Sequence, residues 1–156
     1  MIPTHLATVD EPLRSVLGRL LAGGKRVRAA LAVLAGKLFL PANGPVLGLA
    51  AAIEVLHAAT LIHDDLIDEG PTRRSRKTLN AIWPAGATVL AGDFLLSRGL
   101  KMIARLGDPR IVAIVADAVS AICAGEVKQM FVTRGQFGRR QEYYRAIDAK
   151  TAVLFA

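Results

Sequence analysis

Apolar residues recur along most of the chain at helical spacing, and no segment alternates between apolar and polar residues as a half-buried strand would. Residues 79–106 contain Pro84 and Gly86, so we expect a short helix, a break and a longer helix there. The other helices, separated by glycine- and proline-containing turns, are predicted over residues 11–22, 25–40, 46–68, 110–134 and 141–156. The pattern therefore predicts an all-α fold, with a basic loop over residues 72–78.

The predicted helices follow one another closely, and we expect no domain boundary within residues 1–156. Asp108 is predicted to cap the helix that follows Pro109. Residues 149–156 are apolar and lack a helix stop signal. Chain ends are more often polar, so we expect either a fragment of a longer protein or a partner that completes it.

Composition narrows the class of protein. Hydrophobic residues make up 53% of the chain and charged residues 21%, which excludes a disordered chain. The single cysteine, Cys123, excludes a disulfide framework and favours a cytoplasmic location. The most apolar stretch, residues 46–62, contains Glu54 and His57, so we predict a buried helix and no transmembrane segment. The net charge of +7 indicates an acidic partner: a nucleic acid, an anionic membrane or a phosphorylated small molecule.

A polar stripe runs along the otherwise apolar helix predicted at residues 46–68. Asp64 and Asp68 are four residues apart, which places both carboxylates on one face, and His57 lies two turns earlier almost in line. Buried carboxylates need a compensating cation. Two hard oxygen ligands suit Mg²⁺ that also bridges to a substrate phosphate. The alternative is an ordinary solvated acidic helix end, although acidic groups are electrostatically disfavoured at a C-terminus.

Two basic clusters accompany this stripe. Residues 73–77 carry four cations directly after it, and residues 23–28 place two glycines before Lys25, Arg26 and Arg28. Arginine binds phosphate oxygens bidentately, and a helix start offers free N–H groups to an anion. The second cluster is not a Walker loop, because the Lys-Ser/Thr pair is absent, and by itself it could be a simple loop.

Taken together, these motifs resemble the trans-isoprenyl diphosphate synthases, the polyprenyl synthetase family. The resemblance covers residues from about 13 to 156. It is carried in order by Gly24-Lys25-Arg26-Val27-Arg28, Glu54-x-x-His57, Asp64-Asp65-x-x-Asp68, Arg73-Arg74, Leu90-Ala91-Gly92-Asp93, Gly125-Glu126-x-x-Gln129 and Lys150-Thr151-Ala152.

The resemblance implies a bundle of long helices around a central cavity, and a Mg²⁺-dependent prenyltransferase. Such an enzyme ionises an allylic diphosphate and condenses it with isopentenyl diphosphate. Asp64 and Asp68 would hold Mg²⁺, with Asp65 in support, and Arg73 would contact the allylic diphosphate.

The resemblance also implies the remaining substrate contacts. Lys150 and Thr151 would contact the allylic diphosphate from another helix. Isopentenyl diphosphate would be bound by Lys25, Arg28, His57 and Arg74.

Product length is implied by the positions before the first aspartate. Ala59 and Thr60 would line the floor of the hydrophobic tunnel, with Leu56 one turn deeper. Ala59 and Thr60 are small, so we expect an open floor and a medium or long polyprenyl product.

The sequence departs from the family pattern in two ways. Ser75 stands where the family usually has a glycine after Arg73-Arg74, which is expected to loosen the loop. The chain is also about half the family length, and no second Asp-Asp-x-x-Asp follows Asp68. We therefore interpret residues 1–156 as the N-terminal half of the domain, active when a complementary C-terminal half or an oligomeric partner completes it.

Three alternatives remain. A non-catalytic or regulatory subunit of the same family, or a truncated inactive product, would carry the same motifs. A metal-dependent phosphohydrolase would use His63-Asp64, but it needs further converging histidines. Nucleic-acid binding would need aromatic residues interleaved with the arginine clusters, and these are absent.

Overall fold

The computed structural model describes residues 11, 14, 17, 18, 24–39, 44–131 and 144. The described residues form four helices and one small antiparallel hairpin, and the predicted all-α class is confirmed. In chain order the elements are α1 (Val27–Lys37), α2 (Gly44–Ile67), β1 (Thr72–Arg73), β2 (Arg76–Lys77), α3 (Ala85–Ala104) and α4 (Pro109–Phe131).

The chain divides into two compact units, Met1–Leu106 and Gly107–Ala156. The first unit contains α1, α2, the hairpin and α3, and the second contains α4. The expectation that all 156 residues form one half-domain concerns how these units assemble, and it stays a prediction.

Helices α2 and α3 form the centre of the first unit and pack at very short range. A Cβ atom on Gly99 would lie 2.7 Å from Leu56 Cγ, and one on Gly92 would lie 2.6 Å from His63 Cδ2. The two contacts are seven residues apart on both helices and run in opposite directions, so the helices are antiparallel. Glycine at these two positions lets the α3 backbone approach α2 more closely than any side chain would allow.

The hydrophobic core lies along this contact. Its partly buried margin includes Trp83 and Phe94. The buried members come from α2, α3 and the flanking segments, and they are Leu17, Val55, Ala59, Ile62, Leu79, Ala91 and Leu95.

Helix α2 ends in a left-handed residue. Glu69 has φ 50°, and the Gly70 N–H donates to the Asp65 carbonyl at 3.0 Å while the Glu69 N–H donates to the Leu66 carbonyl at 3.3 Å. These two bonds form a Schellman motif, which satisfies carbonyl groups that the helix end would otherwise leave without partners. The predicted stop at Gly70 is thus shifted by one residue, because Glu69 takes the position that glycine usually occupies.

The basic segment after α2 is a tight hairpin, and the predicted loop was wrong at this point. Thr72 pairs with Lys77, and Arg73 pairs with Arg76. The two turn residues both have positive φ, 51° at Arg74 and 61° at Ser75. That is the geometry of a type I′ turn, which usually carries Asn-Gly. Because Arg74-Ser75 stands in place of Asn-Gly, the hairpin could not be predicted from the usual turn signal.

We expect Ser75→Gly to stabilise the protein by about 0.5–1 kcal/mol. Glycine adopts the left-handed region without the steric cost of a Cβ atom. Its larger loss of conformational entropy on folding offsets part of that gain. The denaturation midpoint checks this. Ser97→Gly is the matched control, since Ser97 lies within α3 and glycine in a helix interior should lower the midpoint. Midpoints that fall equally in both variants would contradict the strained turn.

Other sequence-predicted boundaries fare differently. The short helix expected before Pro84 was wrong: residues 79–83 make a single turn, in which the Trp83 N–H donates to the Leu79 carbonyl at 2.8 Å. The longer helix begins directly after Pro84. The Asp108 cap is confirmed, since Asp108 Oδ1 accepts the Arg110 N–H at 2.9 Å. Most of the helices predicted over residues 11–22 and 141–156 lies outside the described residues.

By length and composition, α2 could cross a membrane. A core helix of a globular protein passes the same test. In the structure α2 packs against both α1 and α3 and contains Glu54, His57 and Asp64, as expected of a core helix.

Candidate active site

Three elements of the first unit bring most of the sequence-predicted site residues together. The start of α1 supplies Arg28, α2 supplies His57 and the aspartates, and the hairpin supplies Arg73 and Arg74.

The aspartates lie at the C-terminal end of α2. Asp64 and Asp65 are partly buried, and Asp68 is exposed just after the last helical residue. The Asp68 N–H still donates to the Asp64 carbonyl at 2.8 Å, so the helical geometry continues through Asp68. Asp64 and Asp68 therefore stay one turn apart on the same face.

The Asp65 side chain forms an ion pair with the hairpin. Its Oδ1 accepts a hydrogen bond from Arg73 Nε at 2.7 Å, and the Asp65 side chain is only 14% exposed against 39% for Arg73. A charge-assisted bond at this distance holds the guanidinium in one place. Asp65 thus orients Arg73 beside the helix end, and its support of a metal site stays a prediction.

His57 lies among cationic groups. Burial is the main cause that lowers the pKa of its imidazole, to about 4. The charges of Arg28, Arg73 and Arg74 lower it further, and only Glu54 raises it. The ring is therefore neutral at pH 7. Because these charges all act on one ring, residues from α1, α2 and the hairpin share one electrostatic environment.

The two basic clusters meet at Gly24. A Cβ atom on Gly24 would lie 3.2 Å from Arg74 Nη1, and Gly24 itself has φ 100°. A side chain at this position would be strained by its backbone and would crowd the guanidinium. Burial lowers the pKa of Arg28 below its ordinary value, and the nearby charge of Glu54 opposes this effect. Lys25 is exposed in the segment before α1.

His63 links the aspartate end of α2 to α3. Its Nε2 lies 3.3 Å from the Val89 carbonyl oxygen and 3.4 Å from Asp93 Oδ1. Carbonyl and carboxylate oxygens both accept hydrogen bonds, so Nε2 is the donor in these contacts. The missing side chain of Gly92 makes room for this ring. Because His63 directly precedes Asp64, these contacts hold the aspartate end of α2 against α3.

The three residues predicted to line the tunnel lie on α2, close to His57. Leu56 and Ala59 are each 1% exposed, and Leu56 lies against Gly99. Thr60 is partly buried and donates from Oγ1 to the His57 carbonyl at 2.9 Å. Their assignment to a tunnel stays a prediction. Lys150 and Thr151 lie outside the described residues.

Sequence reasoning gave no role to Glu54 or Gly92. Glu54 Oε1 accepts the Ala29 N–H at 3.1 Å, across 25 residues of chain. The signal was present as an acidic residue inside a very apolar helix, three residues before His57. Gly92, in turn, is a glycine within a helical pattern, which often marks a close helix contact.

The described residues contain no group of three His, Cys, Asp or Glu side chains that could hold a metal ion unaided. Mg²⁺, however, is usually held by one or two carboxylates together with substrate phosphates and water. Asp64 and Asp68, on one face and next to a held arginine, fit that mode of binding.

The sequence of the chain is similar to that of a known protein family. A family model described as polyprenyl synthetase matches residues 10–156. The octaprenyl diphosphate synthase of Escherichia coli strain K12 is 39% identical over 133 residues, which is 85% of this chain and 41% of that protein. The heptaprenyl diphosphate synthase component 2 of Geobacillus stearothermophilus is 36% identical over 91% of this chain and 44% of that protein.

Solved structures are similar as well. The decaprenyl diphosphate synthase from Rhodobacter capsulatus superposes with a TM-score of 0.86 at 38% identity, over 92% of this chain and 44% of that chain. The chain thus spans less than half the length of each of these relatives.

Proposed function

Since the chain belongs to the polyprenyl synthetase family, we propose that it forms one wall of a prenyltransferase active site. The reaction would condense isopentenyl diphosphate with an allylic diphosphate to give a medium or long polyprenyl diphosphate. The names of the octaprenyl, heptaprenyl and decaprenyl relatives support that range of product length.

One observation carries the proposal: guanidinium groups from α1 and the hairpin act electrostatically on a neutral His57, on the helix that ends with the aspartates. The charges of Arg28, Arg73 and Arg74 act on His57 against a single opposing carboxylate, that of Glu54. Such a concentration of positive charge favours a polyanionic ligand. A diphosphate supplies that charge, and arginine binds its oxygens bidentately.

We assign the allylic diphosphate to the aspartate side. Asp64 and Asp68 would hold Mg²⁺, which would neutralise diphosphate charge and so favour departure of the diphosphate. Arg73, held by Asp65 at 2.7 Å, would donate to the same diphosphate. Lys150 and Thr151 would be further ligands of the same diphosphate.

Isopentenyl diphosphate is assigned to the α1 side, with Lys25, Arg28, His57 and Arg74 as its ligands. His57, neutral near pH 7, would contribute a hydrogen bond and no charge there. Proximity of Gly24 to Arg74 supports a shared site for these groups.

Completion of the enzyme is part of the proposal. The chain spans less than half of its relatives, so a complementary C-terminal half, or a homo- or hetero-oligomeric partner, would supply the opposite wall. One relative is itself named as component 2 of a synthase, which supports a partner. We place the assembly in the cytoplasm. A non-catalytic partner subunit is the second candidate, and it would bind diphosphate without turnover in any combination.

The double variant Asp64→Asn/Asp68→Asn tests the metal site. We expect it to weaken Mg²⁺-dependent binding of inorganic diphosphate by more than about tenfold, since each tenfold corresponds to about 1.4 kcal/mol of lost interaction. Isothermal titration calorimetry with MgCl₂ measures the affinity, and EDTA gives the metal-free baseline.

Asp117→Asn is the control, because Asp117 is exposed on α4 and should leave the affinity unchanged. Equal affinities for the parent and the double variant would reject Asp64 and Asp68 as the metal ligands. Condensation of labelled isopentenyl diphosphate, measured with the chain alone and with a complementary half, separates the enzyme from the non-catalytic subunit.

A further inference from the structure

Glu54 connects two helices of the candidate site. It lies on α2, one turn before His57, and its Oε1 accepts the Ala29 N–H of α1 at 3.1 Å. Ala29 is the third residue of α1. Its N–H is therefore one of the first-turn donors that a helix cannot satisfy within itself.

Helix α1 has no N-terminal cap of its own. Arg26, the residue before the helix, has φ 50° and ψ 39°, makes no side-chain cap hydrogen bond and is followed by a first turn without acidic residues. Arginine carries no acceptor that could cap an N–H group. Glu54 supplies from α2 both the acceptor and the negative charge that stabilise a helix N-terminus.

The same carboxylate acts on two of the predicted diphosphate ligands. Its charge raises the pKa of Arg28 and of His57, against burial that lowers both. Arg28 directly precedes Ala29 in the chain. A shift of the α1 N-terminus would therefore move Arg28 relative to His57.

We propose that Glu54 is a positioning residue for diphosphate binding: it fixes the start of α1, and with it Arg28, against the face of α2 that carries His57. The identity of the ligand rests on the proposed function. The contact between Glu54 and Ala29 stands independently of it.

Two substitutions separate the acceptor from the charge. E54A removes both, so we expect the Ala29 amide to exchange about tenfold faster, and Mg²⁺-diphosphate affinity to fall about tenfold, the loss expected for one charge-assisted hydrogen bond. E54Q keeps an oxygen at the same reach, so we expect an affinity within about threefold of the parent, the smaller loss expected for a neutral bond.

The effect of the Glu54 charge is measured separately, through the pKa of His57. In E54Q the pKa of His57, followed by NMR titration, should fall below its parent value because a nearby negative charge is gone. Asp117→Asn removes one negative charge on α4 and should change none of the three measurements. Rescue of affinity by glutamine, together with a changed His57 titration, would not result from general destabilisation.

Several results would overturn the proposal. One is E54A with parent-like Ala29 exchange or diphosphate affinity, and another is E54Q as weak as E54A while Ala29 stays protected. If E54A does not fold, E54Q decides: near-parent Ala29 protection and affinity together with a lower His57 pKa support positioning, and an unchanged His57 pKa rejects it. A parent chain that binds no diphosphate would reject the proposed function, while Ala29 exchange and the His57 titration would still judge the role of Glu54.

Discussion

Replacing Gly92 by alanine is expected to lower the free energy of unfolding by about 1–3 kcal/mol, the usual cost of overpacking a close contact. The new methyl group would lie 2.6 Å from His63 Cδ2 and 2.8 Å from Cε1, so the ring would have to move. That movement would break the contacts of Nε2 with the Val89 carbonyl and Asp93. Urea denaturation followed by circular dichroism measures the loss.

Gly86→Ala is the matched control on the same helix. Nothing lies within 4 Å of a Cβ atom at Gly86, so alanine should stabilise α3 by its helix propensity, about 0.5–1 kcal/mol. Opposite signs at Gly86 and Gly92 would establish that the contact with His63, and not the helix backbone, requires glycine. A stabilised Gly92→Ala variant would show that the ring can move freely.

The helices could be predicted because their signals are local. Apolar spacing and turn residues indicated α1, α2, α3 and α4 to within a few residues, and the Asp108 cap followed from a single turn of sequence. The shared face of Asp64 and Asp68 also follows from helix geometry alone.

The contacts that organise the candidate site could not be predicted in this way. Ala29 and Glu54 are 25 residues apart, and Gly92 and His63 are 29 apart, so only the packing of helices brings them together. The Asp65–Arg73 pair depends on a hairpin whose turn lacks the usual Asn-Gly signal. Sequence indicated which residues bear the chemistry, and tertiary packing determines which of them act on one another.

Acid is expected to destabilise the protein through His57 in a defined pH window. The imidazole has a pKa of about 4 in the folded chain against an ordinary value of 6.5. Between these values the unfolded chain takes up a proton that the folded chain does not, so stability rises with pH across the window. The contribution is fully present above about pH 6.5 and is lost as the pH falls toward 4.

Four charged groups act on the pKa of His57. The three guanidinium groups oppose protonation and one carboxylate favours it, and they belong to Arg28, Arg73, Arg74 and Glu54. His57→Gln removes the titrating ring, so the slope of unfolding free energy against pH should be shallower than in the parent between pH 4 and 6.5. Solvent screening of this half-buried ring keeps the difference below the about 1.4 kcal/mol per pH unit of one full proton. Parallel pH profiles for parent and variant would show that His57 titrates normally, and that the three guanidinium groups do not converge on it.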